Sequence, residues 1–139
     1  MVDVRIEERD AIATAVVTVP DASYWREGLD RVWAHVRANR LRAGRNVMRY
    51  GERVEVGVEL DGFADSGGLV ASELPAGPTA VGLRVGELSP EGIREAHEAV
   101  RAWCASHGHE VTGECWELYG HMRDDVPFEL LVGWPLSGR

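Results

Sequence analysis

The sequence predicts an α+β domain, a pseudo-twofold duplication of a strand-helix-strand-strand unit. Antiparallel sheets carry two packed helices, and a central cleft lies between the halves. Three observations predict this. Alternating or Val-rich runs mark strands. Two segments carry apolar residues at helical spacing. The order of elements in residues 1–61 returns in 68–137, across a polar, glycine-containing and aperiodic linker at 61–68. Each half reads strand, strand, helix, strand, strand within a single domain spanning 1–139.

In the first half Val2, Val4 and Ile6 alternate with Asp3, Arg5 and Glu7, the period of a half-buried strand. Ala11 to Val19 is rich in Val and Thr and reads as a second strand. Pro20 closes it, and Asp21 is a suitable helix N-cap. Ala22, Trp25, Leu29, Val32, Trp33 and Val36 then fall at spacings of three and four, which predicts a helix from Asp21 to about Arg40. Two short strands follow, Asn46 to Tyr50 and Val54 to Leu60, with Gly51-Glu52 as a tight turn.

The second half repeats the pattern. Leu69 to Leu74 and Thr79 to Val85 read as strands around a Pro75-Ala76-Gly77-Pro78 turn. Ser89 is an N-cap with Pro90 at the first helical position. Ile93, Ala96, Ala99, Val100 and Trp103 form the apolar stripe of a helix from Ser89 to His107, stopped at Gly108. Glu114 to Met122 and Phe128 to Trp134 make a last strand pair about an Arg123-Asp124-Asp125 turn. A shift of about 67 positions lays Trp33 on Val100.

Composition removes whole classes of function. The apolar share of 45% argues against disorder. All 15 basic residues are arginine, so no lysine is present for a Schiff base or a phosphate loop. A net charge of −8 argues against nucleic acid as main partner. Arg37, Arg40, Arg42, Arg45 and Arg49 are denser than elsewhere, and read as solvated helix-end arginines. The longest uncharged, largely apolar run is read as Ala11 to Pro20, shorter than the roughly 20 residues a bilayer requires. No basic-then-apolar leader opens the chain. We expect a cytoplasmic protein with no membrane contact. Cys104 and Cys115 fit a reducing compartment, with a disulfide between them left open. His107 and His109 lack further ligands at metal-binding spacing, so neither metal nor cofactor is expected.

The last strand pair carries the chemistry. Side chains alternate on a strand, so Cys115, Glu117, Tyr119 and His121 share one face. Trp116, Leu118, Gly120 and Met122 share the other, which is apolar enough for core. The first face holds a carboxylate, a phenol and an imidazole about 7 Å apart. A ligand lying along it touches all three. Ionised, the carboxylate balances a bound cation while rings supply cation–π contact. Exchanging a proton, it works as a general acid or base. A solvent-facing strand with ordinary polar residues gives the same pattern. Met48 and Tyr50 alternate onto one face of the first half's strand and are the next wall candidates. Tyr24 and Trp25 open the first helix, with Trp25 on its apolar stripe. Trp33 and Trp103 read as core. Trp134 either lines the cleft or caps the core.

Four runs carry a family resemblance. They are Val54-Glu55-Val56-Gly57-Val58, Glu73-Leu74-Pro75-Ala76-Gly77, Trp116-Glu117-Leu118-Tyr119 and Val132-Gly133-Trp134-Pro135-Leu136. In this order, on a duplicated α+β pattern, the chain resembles the GyrI-like small-molecule-binding domain, also called the bacterial transcription activator effector-binding domain. The resemblance covers nearly the whole chain. It implies a pocket between the halves, lined by aromatic residues and holding one acidic residue, that takes flat, often cationic, hydrophobic molecules. Regulators of the family fuse this domain to a helix-turn-helix module. These 139 residues leave no room for one, so direct DNA binding does not carry over. Some stand-alone members look like hydrolases of cyclopropane-containing alkylators, and others look like inhibitors that bind DNA gyrase. The expectation is therefore a small-molecule ligand held by Glu117, Tyr119, His121, Tyr50, Met48, Trp25, Tyr24 and Trp134. A hydrolase would use Glu117 and Tyr119 as its catalytic groups. A protein partner reached through the outer surface, or a homodimer, stays open.

Overall fold

The computed structural model describes residues 1–121 and 125–137. Met122, and Arg123 and Asp124 of the expected turn, lie outside them. The elements follow in order: β1 Val2–Arg9, β2 Ile12–Val19, a 3-10 turn Ala22–Tyr24, α1 Trp25–Ala38, β3 Asn46–Tyr50 and β4 Val54–Glu59. The second half holds β5 Val70–Leu74, β6 Gly77–Val85, α2 Pro90–Ser106, β7 Cys115–Tyr119 and β8 Glu129–Pro135. Asp21 caps the 3-10 turn through the Ser23 N–H, and α1 proper begins at Trp25. Ser89 caps α2 by accepting the Gly92 N–H at 3.0 Å, with Pro90 as first helical residue. Gly77 and Pro78, expected in a turn, open β6 opposite Arg9 and Glu8. Proline is tolerated at a strand's first residues.

All eight strands join one antiparallel sheet in the order β1-β6-β8-β7-β3-β4-β2-β5. The duplication is visible in that order. From the central β3–β7 pair, β4 and β2 run outward on one side, β8 and β6 on the other. The opening strand of each half is exchanged: β1 adds to β6, and β5 adds to β2.

Both helices lie on one face. α1 buries Val32 and Val36 against Val17 of β2 and Val56 and Val58 of β4. α2 buries Ala96, Val100 and Cys104 against Ala80, Leu130 and Val132. Val100 thus belongs to the stripe that continues Gly92 and Ala96, and its counterpart on α1 is a stripe valine rather than Trp33. Spacings of three and four resemble each other closely enough that sequence alone slips the helix register. Trp33 flanks its stripe, half-buried, and its indole N–H donates to Asn46 Oδ1 at 2.8 Å. Among the described residues no helix is long and apolar enough to cross a membrane.

The opposite face has its own core, formed by Val16, Val47, Leu74, Val81, Trp116 and Leu118. Val16 of β2 and Val81 of β6 share this cluster although four strands separate them. A flat sheet would hold them roughly 24 Å apart at about 4.8 Å per strand. The sheet therefore curls around this second core, and Trp116 and Leu118 are each 1% exposed within it. β7 is buried on both faces, which is why its five residues show no polar-out alternation.

Candidate functional site

The two helices leave the centre of the sheet uncovered between their N-terminal ends. The resulting cleft has a volume of about 450 Å³. Trp25 and Leu29 of α1 form one wall, and Leu88, Pro90 and Ile93 at the start of α2 form the other, with Phe128 beside them. Met48, Tyr50 and Tyr119 are among the residues of its floor. Their presence there follows from register. Asn46 pairs with Tyr119, Met48 with Glu117 and Tyr50 with Cys115, so these side chains rise from one face of adjacent strands.

Glu117 lies beneath that floor and is 2% exposed. Its partners are all donors. The Tyr119 hydroxyl donates to Oε1 at 2.5 Å and the Tyr50 hydroxyl to the same oxygen at 3.0 Å. His97 Nε2 lies 2.7 Å from Oε2. The far nitrogen of that ring, Nδ1, lies 2.9 Å from Trp134 Nε1. An indole N–H only donates, so Nδ1 accepts. The ring proton therefore sits on Nε2, and His97 is a neutral imidazole donating to Glu117. Among the described residues, no arginine forms an ion pair with this carboxylate. Hydrogen bonds to a charged group contribute about 1.5–3 kcal/mol each. Three of them offset a desolvation cost of several kcal/mol for a buried ion. The result is a negative charge stabilised by neutral groups and left without a counter-ion.

The surrounding acids respond to it. Burial, reinforced by the Glu117 charge and the hydrogen bond to it, pushes the Tyr50 and Tyr119 phenols far above their ordinary range. Burial first, and Glu117 second, push the Cys115 thiol up to about 12. Cys104 and Cys115 are both free thiols.

The structure brings together Glu117, Tyr119, Tyr50 and Met48. Trp25 joins them at the mouth rather than in the core. It is 43% exposed because α1 begins beyond the layer of strand side chains. Trp134 stands behind the site, holding His97, with the Arg101 guanidinium over its ring at 5.6 Å. His121 follows the end of β7 and is exposed, so the alternation from Tyr119 does not continue to it. Tyr24 is exposed at the end of the 3-10 turn and lies outside the cleft lining. Sequence reasoning missed His97, Phe128 and the α2 wall. The available signal for His97 was its place at i+4 from Ile93, on the edge of an apolar stripe. Arg45 and Arg49 of the arginine-rich segment are engaged in ion pairs with Glu59 and Glu114.

No family model matches the sequence, and no curated protein does. Solved structures do match. The chain is similar to the EcmrR C-terminal domain, with a TM-score of 0.77 at 16% identity, over 100% of this chain and 99% of that one. It is similar to SAV2435, solved bound to tetraphenylphosphonium, with a TM-score of 0.61 at 12% identity over 98% and 94%. A hydrolase from Listeria innocua aligns with a TM-score of 0.60 at 9% identity over 96% and 91%. At these identities the likeness is one of fold, and the chain has the GyrI-like α+β fold that its four sequence runs lead one to expect.

Proposed function

We propose that this protein binds hydrophobic, aromatic cations in the cleft between α1 and α2, with Glu117 supplying the opposing charge. The observation that carries the reading is a buried carboxylate whose described partners are all neutral donors, set under an aromatic-walled cleft. Coulomb attraction at low effective dielectric reaches through the floor. The faces of Trp25, Tyr50, Tyr119 and Phe128 add cation–π contact and stacking. The similar fold that holds tetraphenylphosphonium supports the same ligand class.

The test compares wild type with Glu117→Gln by titration calorimetry, using one cationic and one neutral aromatic dye of matched shape. Removing one partner of a desolvated charge pair costs several kcal/mol. The cation should therefore weaken roughly tenfold to a thousandfold, at 1.4 kcal/mol per tenfold, while the neutral dye changes little. Equal losses for both dyes, or none for either, would remove Glu117 from the role.

A hydrolytic reading is favoured by the similar hydrolase fold and by a carboxylate, two phenols and an imidazole in one cluster. It requires Glu117 to reach a water beside the ligand. Both carboxylate oxygens are engaged by protein donors, which places binding ahead of turnover. Time-dependent loss of a strained electrophilic ligand, abolished by Glu117→Gln, would reverse that order.

A further inference from the structure

We propose that β1 is a self-complementary edge, through which two copies of this chain join their sheets about a twofold axis at Ile6. The proposal concerns the rim of the sheet and is independent of the cleft. The strand order ends on β1 at one side and on β5 at the other. Side chains of its own chain close the β5 edge. The Ala71 N–H donates to Asp65 Oδ1 at 2.8 Å, and Arg49 donates to the Glu73 carbonyl at 2.7 Å. β1 is longer, eight residues against five, and among the described residues a strand flanks it on one side alone. The ladder shows which of its groups face the open side. The Leu136 N–H donates to the Pro78 carbonyl, and the Gly86 N–H to the Phe128 carbonyl. Even-numbered residues of β6 therefore bond to β8 and odd-numbered ones to β1, because hydrogen-bonding groups alternate along a strand. Val4 stands opposite Gly82 and Ile6 opposite Ala80. The N–H and C=O groups of Val2, Val4, Ile6 and Glu8 thus point away from β6, toward the open edge.

Charge selects the occupant of that edge. Val2, Val4 and Ile6 pack beneath α2, so Asp3, Arg5, Glu7 and Arg9 share the opposite face. In order they are negative, positive, negative, positive. An antiparallel copy presents the reverse order, which is the complement. With Ile6 opposite Ile6 of the second copy, Asp3 meets Arg9 and Arg5 meets Glu7, each twice by symmetry. Val4 meets Glu8, so the outward backbone groups also stand opposite each other. Opposite charges facing across a strand pair stabilise it, and like charges destabilise it. An axis at Arg5 sets Arg5 against itself and Asp3 against Glu7. An axis at Glu7 sets Glu7 against itself and Arg5 against Arg9. An axis at Val4 shortens the ladder and leaves Arg9 unmatched. Charges on an edge strand ordinarily prevent edge pairing. Here their alternation penalises the neighbouring registers and favours one. The Asp3 and Arg5 side chains are 74% and 58% exposed, while Arg5 and Arg9 both already reach Glu7 within the strand. The second copy extends that network.

The experiment is sedimentation equilibrium of the untagged full chain at neutral pH and low salt, from about 1 μM to 1 mM. Wild type should pass from monomer to dimer within that range. Arg5→Glu places Glu against Glu7 at both symmetric positions, and Glu7→Arg places Arg against Arg5. Each should weaken the dimer about tenfold or more, since two attractive pairs become repulsive. An equimolar mixture of the two variants restores every opposite-charge pair across the axis, and should dimerise as tightly as wild type to within a few-fold. The double variant Arg5→Glu/Glu7→Arg should do the same alone, and it keeps an opposite-charge pair within the strand if a single variant folds poorly. A wild type that stays monomeric at the highest concentration overturns the proposal. A dimer indifferent to Glu7→Arg places the contact elsewhere and overturns it as well. Single variants that weaken the dimer, with no recovery in either the mixture or the double variant, show damage to the strand rather than complementarity, and also overturn it.

Discussion

Tyr50 and Tyr119 are held in their neutral form by the same carboxylate that they solvate. Their ionisation is opposed first by burial and then by the Glu117 charge. The consequence for stability has a definite sign. An unfolded tyrosine loses its proton near pH 10, while in the folded chain both keep theirs well above that. Below about pH 10 both states bind the proton and stability does not change on this account. Above it the unfolded state binds fewer protons, so stability falls with rising pH. Tyrosinate absorbance should thus lag in the folded protein, and the last two of its three tyrosines should titrate together with loss of folded structure. In Glu117→Gln, ionisation of both should begin at lower pH. Full tyrosinate absorbance in a still-folded wild type near pH 10 would contradict the network.

At the scale of elements, strands β4 and β8, which lie on either side of the central β3–β7 pair, each carry a mid-strand glycine on the curled face. An added Cβ at Gly57 would stand 2.0 Å from the Ala15 carbonyl oxygen, and one at Gly133 2.1 Å from the Trp116 ring. Glycine within a strand marks such close approach. Trp116 is 1% exposed and has nowhere to retreat. Gly133→Ala should destabilise the protein by about 1–3 kcal/mol, the usual range for overpacking, or more if the ring cannot move. Ser89→Ala removes the cap of α2 and should cost about 1 kcal/mol. Urea unfolding checks both. A Gly133→Ala midpoint equal to wild type would show that the sheet is less tightly curled than described.

At the scale of the whole molecule, exchange of β1 and β5 makes each half depend on the other's first strand. Ile6 of β1 pairs with Ala80 of β6 and packs on the core beneath α2, not the core beneath α1. Ile6→Ala should cost about 1–2 kcal/mol, less than a fully buried isoleucine because the residue is half-exposed. Hydrogen exchange should rise in β6 and α2, in the second half, more than in β2, although only two residues separate β1 from β2. Equal acceleration in β2 would argue against the exchanged arrangement. The exchange also ties the halves together, so the cleft at their junction does not depend on a hinge for its shape.

The elements themselves were legible in the sequence. Alternation at Val2 to Glu7, the Val-rich run to Val19, the helical stripes and the Ser89-Pro90 start depend on local preference, which each residue carries with it. So did the order of the duplicated units and the strand face bearing Glu117 and Tyr119, because strand periodicity is two and leaves little freedom. Contacts set by packing across the molecule were not legible. Helix register slipped because spacings of three and four are nearly alike, so Trp33 was laid on Val100. Alternation carries the first strand of the last pair on to Met122, yet β7 ends at Tyr119 and leaves His121 exposed. Only the tertiary structure brought His97 from α2 to Glu117 and set Trp134 behind it, on a strand 37 positions away from that histidine. The pairing of β3 with β7 sent Tyr50 and Tyr119 to one carboxylate oxygen from opposite ends of adjacent strands. Sequence determined that a carboxylate and two phenols stand on strands of the two halves; the strand order that makes those strands central is tertiary. Tertiary structure determined that the carboxylate is buried, held by neutral donors and sealed from the cleft, because burial and hydrogen bonding arise only between segments that the chain itself keeps apart.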